Sequence, residues 1–87
     1  MASPQPVLYK NYYLGKKLTL LKKTAAIEIA SDEDGKTVPG LVVHLAEGSR
    51  VRVCGDGFSS GTVKVESGGS SYFMLLQSIA VAAVERG

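Results

Sequence analysis

Tryptophan is absent from this 87-residue chain, histidine and cysteine occur once each, and proline only three times. Each scarcity excludes something. A lone cysteine, Cys54, rules out an internal disulfide framework and leaves no cysteine pair for a zinc site. It points to a reducing setting, so a cytoplasmic location is expected. No apolar run approaches the roughly 20 residues that span a bilayer, and no membrane association is expected. The opening MASPQPVLYK has no charged segment leading into an apolar one, so no secretory signal is expected. Acidic residues are missing from the whole first segment: none precedes Glu28, while Lys10, Lys16, Lys17, Lys22 and Lys23 all do. The net charge of +2 therefore hides a basic N-terminal third, followed by the acidic stretch SDED at 31–34.

What is abundant is glycine, ten residues, against a hydrophobic content of 45%. That combination suits a turn-rich β-protein and argues against disorder. The length bounds the chain to one domain with a marginal core, so leftover apolar surface is expected to find a partner, most simply another copy. Residues 1–8, with Pro4 and Pro6, read as a flexible arm, and residues 9–87 as the domain.

Period-two alternation organises the rest. YKNYYLG is open between a short helix and an extended arm. In KKLTLLKK, Leu18 and Leu20 share one face of a strand. A helix over residues 7–23 would instead align Leu14, Leu18 and Leu21, the pattern of a membrane-surface helix; the strand is the reading adopted. TAAIEIA places Ile27 and Ile29 inward and Glu28 outward. Asp34-Gly35 then supplies a tight turn of type I′. The return strand carries Pro39, which cannot donate to a central ladder and so marks an edge, a bulge or a break. LVVHL resumes it, with Leu41, Val43 and Leu45 on one face and Val42 and His44 on the other.

RVRVC and TVKVE form a hairpin with Val51, Val53, Val63 and Val65 inward and Arg50, Arg52, Thr62, Lys64 and Glu66 outward. SGGSS is a further turn, and YFMLL reads as a strand buried on both sides. A 3₁₀ turn near Gln77–Ala80 and a short closing strand near Val81–Glu85 complete the chain; a helix from about Ser71 is the alternative. The predicted fold is all-β, a small barrel of five to six strands, which closes its edges most economically at this length.

The order from GSRVRV through FSSGTVKV and SSYFMLL to VAAVERG resembles an SH3-like small barrel over roughly residues 48–87. Within that class the chain is weakly similar to the type II plasmid-encoded dihydrofolate reductases, through GSRVR, LQSI and VAAVER. That resemblance would imply a tetramer around a shared pore. Of the pore motif, however, only Gln77 is matched: Ile79 replaces the tyrosine and Val53 the substrate-attracting lysine. VRV…DGFSSGTVKV is also loosely similar to the first motif of Sm-like barrels, which would imply RNA binding, although the glycine spacing is one residue short.

No group of residues reads as catalytic, and no metal or cofactor is expected. His44 lacks a positioned partner in sequence and reads as a half-exposed strand residue. Cys54 reads as a small rim residue rather than a nucleophile. Asp32, Glu33 and Asp34 lack the spacing of a calcium loop. CGDGFSSG lacks the Lys-Ser/Thr pair of a phosphate-binding loop, and its Phe58 reads as an apolar anchor. The constellation that does suggest function is Lys10, Tyr12, Tyr13, Lys16, Lys17, Lys22 and Lys23, extended by Arg50, Arg52 and Lys64. Lysines neutralise phosphates and tyrosines stack on unpaired bases. The expected function is a non-catalytic binding module for RNA or single-stranded DNA. The competing reading is a protein-interaction barrel or homo-oligomer, in which the lysines keep edge strands soluble and the tyrosines pack.

Overall fold

The computed structural model describes residues 10–85, at residue 10 the backbone only; the arm expected over residues 1–8 lies outside them. A single turn of helix, α1 (Lys10–Tyr13), leads into seven strands and a second short helix. These are β1 (Lys17–Leu20), β2 (Thr24–Ser31), β3 (Thr37–Leu45), β4 (Arg50–Asp56), β5 (Thr62–Ser67), β6 (Ser70–Leu75), α2 (Leu76–Ala82) and β7 (Ala83–Glu85). All pairings are antiparallel, in the order β3-β2-β6-β5-β4-β1-β7. The all-β expectation holds. Among the described residues the strands number seven rather than five or six, and the sheet is not closed, with β3 and β7 as its edges.

One face of the sheet carries the core. Leu18 and Leu20 of β1, Val51 and Val53 of β4, Val63 and Val65 of β5, and Met74 of β6 are buried together with Tyr13, Ala26, Leu76 and Ile79. The alternating valines of β4 and β5 fall where the sequence puts them. Helix α2 contributes Leu76, Ile79 and Ala82, three and six residues apart along one stripe, and so covers that face. It is an α-helix where a 3₁₀ turn was expected, because alanine and the buried stripe favour two full turns. The closing strand consequently starts at Ala83 instead of Val81.

Other expectations are corrected. In β2 it is Thr24 and Ala26 that are buried, while Ile27 stands opposite Phe73 and Val42 on the other face. The isoleucines were expected in the core, but the opposite face has an apolar row of its own. Thr62, expected outward, is 1% exposed. The loop of residues 57–61 folds over it, and its hydroxyl accepts from the Ser59 amide and donates to the Ser59 carbonyl.

The turn at Asp34-Gly35 is not type I′, since only Gly35 has positive φ. The Gly35 amide donates to the Asp32 carbonyl, and the Asp32 carboxylate accepts from the amides of Asp34 and Lys36. The aspartate side chain thus does the work that a second left-handed residue would do. Gly68-Gly69, with φ of 59° and 84°, makes the two-residue turn between Ser67 and Ser70.

Hairpin β2–β3 is the unusual element. It pairs with β6 only at Ile27 and Glu28, so from Ile29 outward it is a two-stranded arm. Pro39 sits on the edge strand, as its missing N–H requires. A register shift lies between the Ile27–Val42 and Ile29–Pro39 pairs, bulging β3 at Gly40 and Leu41.

Candidate nucleic-acid interface

The register of the sheet divides the predicted basic constellation into separate groups. Directly opposed residues share a face. Lys17 lies opposite Arg52, Arg52 opposite Glu66, and Glu66 opposite Ser71. In the row to one side, Thr19 lies opposite Arg50. In the row to the other, Lys64 lies opposite Phe73, and Phe73 opposite Ile27. Lys17, Arg50, Arg52 and Lys64 therefore converge on the sheet face that points away from the core, although 47 residues separate the first from the last. With Glu66 as the one acid in these rows, the group carries four positive charges and one negative, a net of +3.

Arg52 donates to Glu66 at 2.7 Å. Both side chains are about half exposed, and solvent screens such surface pairs, so Arg52 can turn to another anion at little cost. Lys17, Arg50 and Lys64 make no ion pair among the described residues. Beside them, Arg50, Arg52, Glu66, Ser67, the Gly68-Gly69 turn and Ser71 line a shallow groove of about 380 Å³.

Phe58 belongs to this face. Its ring meets that of Phe73 edge-on, with centroids 5.2 Å apart. Phe73 is thereby buried while Phe58 remains 44% exposed. The sequence reading of Phe58 as an anchor agrees with this contact. What it missed is that the anchored ring stays partly exposed while it packs on Phe73, the residue opposite Lys64. The signal lay in the alternation: Lys64 and the residue opposite it had to share a face, but the sequence does not fix which residue of YFMLL that is.

The remaining members lie elsewhere. Tyr13 is 7% exposed and belongs to the core. Burial pushes its phenol above the usual range. Tyr12 stays exposed and packs edge-on against Tyr13. Lys16 donates to Glu85 at 2.6 Å and stands 3.9 Å over the Tyr12 ring. Its hydrogen bond to Glu85, joined by one from Tyr12, holds that carboxyl below the ordinary range, and the same bond raises the lysine. Lys16 thus fastens α1 to β7. Lys22 and Lys23 occupy the β1–β2 turn, against Leu75, Gln77 and Val81 at the α2 end of the molecule. The side chain of Lys10 lies outside the described residues.

Among the described residues no cluster of three or more His, Cys, Asp or Glu is placed to hold a metal, and no helix is long and apolar enough to cross a membrane. His44 is exposed on β3, and Cys54 sits at the β4 bulge with its thiol 3.5 Å from the Lys64 carbonyl. No protein-family model, no curated protein and no solved structure matches the chain.

Proposed function

We propose that this protein is a non-catalytic small-barrel module that binds a single-stranded nucleic acid across the outer face of β1, β4 and β5. The observation that carries the reading is the outer-face register, which sets Lys17 opposite Arg52, Thr19 opposite Arg50, and Lys64 opposite Phe73, the ring against which the exposed Phe58 packs. It brings four cations and one exposed aromatic ring, that of Phe58, to one surface. Phosphates are met by the cations and bases stack on Phe58, the two contacts on which sequence-tolerant binding of single strands depends. An open strand lets its bases turn toward the ring, whereas a duplex keeps them inside.

An SH3-like barrel is the finer fold reading. The β4-β5-β6 meander, the short helix and the final strand follow in the order that the resemblance implies. The return of β7 to β1, beside β4, is the connection that would draw a sheet round on itself.

A fluorescently labelled single-stranded RNA, titrated at low salt, tests the function. Wild-type protein is expected to bind, and Lys17→Glu with Arg50→Glu to abolish the signal. Both side chains are outward-facing, so the fold should be retained. A flat titration of the wild type refutes the reading.

A second reading, protein interaction through the outer edge of β3, is favoured by one observation. Leu41 and Val42 of the edge strand are 75% and 63% exposed.

A further inference from the structure

We propose that the free edge of β3 pairs antiparallel with β3 of a second copy of this chain, joining two sheets across a two-fold axis. This rests on the second, interaction reading and is independent of nucleic-acid binding. β3 is nine residues long and contains no lysine, arginine, aspartate or glutamate. Long, uncharged, apolar edges invite pairing, and proteins ordinarily blunt them with charge, proline or bulges. Here Pro39 and the bulge at Gly40 and Leu41 guard only the tip-proximal half. The stretch Val42–Leu45 has no such guard. The opposite edge, β7, is three residues long and offers little ladder.

Charge identifies the occupant. At one end of β3 is the arm tip, with Asp32, Glu33 and Asp34 against Lys36, a net of −2. At the other end, Leu45 lies opposite Thr24, next to Lys22 and Lys23, with Glu47 nearby, a net of +1. An antiparallel copy runs each acidic tip toward the other copy's basic turn. Two-fold symmetry makes that match twice. A parallel copy would bring tip to tip and turn to turn. The edge is thus self-complementary in one orientation, and the apolar side chains of Leu41 and Val42 lose their exposure in the joint.

Sedimentation equilibrium of the full chain over a wide concentration range tests this. The expected result is a mass approaching twice the 9.2 kDa of the chain at high concentration. Leu41→Lys with Val42→Lys should return it to the monomer. Both side chains are exposed, and unchanged circular dichroism would show that the fold survives. Lys22→Glu with Lys23→Glu, or Glu33→Lys with Asp34→Lys, should each weaken the dimer by roughly tenfold in Kd, and the four together should restore it. A monomeric mass at every concentration, or an oligomer that the Leu41 and Val42 changes leave intact, overturns the proposal. A four-fold variant that stays as weak as either pair overturns the antiparallel orientation.

Discussion

Two residue positions decide more than their size suggests. Gly57 has no room for a side chain: a Cβ there would stand 2.1 Å from the Thr62 hydroxyl and 2.6 Å from its carbonyl carbon. Backbone on one side cannot rotate away, so Gly57→Ala must displace the loop that seals Thr62 and carries Phe58. A loss of about 2 kcal/mol or more is expected in urea denaturation. Glu85 is the second. Because Lys16 and Tyr12 hold its folded-state pKa down, its contribution is complete above the ordinary carboxylate pKa and lost as pH falls through the depressed value. The raised Lys16 gives the opposite limb, its contribution lost as pH rises past the lysine range. Glu85→Gln should therefore melt below the wild type by a constant margin between about pH 5.5 and 9.5, with the curves converging outside that window. A margin that did not change with pH would remove the pair from the stability of the β1–β7 edge.

At the scale of elements, the hairpins divide by what closes them. The β5–β6 turn depends on two left-handed glycines, and Gly69→Ala should cost about 1–2 kcal/mol, read from thermal unfolding. The arm turn depends on one glycine and the Asp32 side chain, so it responds to Asp32→Ala as well. The valine faces of β4 and β5 and the glycine pair between β5 and β6 were legible in the sequence, through clean alternation and a two-residue glycine turn; the register shift at Cys54 and the burial of Thr62 were not. β2 was not. Thr24 and Ala26 alternate as regularly as Ile27 and Ile29, and hydrophobicity favours the wrong pair. The isoleucines follow a second apolar row, built by Phe58, Phe73 and Val42 from three distant segments, which no local pattern reveals. The basic constellation was half legible for the same reason. Charge density marked the lysines, but only strand pairing separates Lys17, which joins the arginines, from Lys16, which is spent on Glu85.

For the whole molecule, one face makes the core, the other face collects cations and an aromatic ring, and the C-terminal half of β3 leaves an unguarded edge. The two outward features use different residues, so loss of one should leave the other measurable. The most direct test of the functional claim is the salt dependence of single-strand affinity, measured by fluorescence anisotropy from low to physiological salt. If Lys17, Arg50, Arg52 and Lys64 each neutralise a phosphate, log K should fall with log salt at a slope near −2.8, that is about −0.7 per contact. Lys17→Glu should flatten it by about one contact or more. An affinity that salt leaves unchanged, or a slope that Lys17→Glu and Arg50→Glu leave in place, would contradict the assignment of this face.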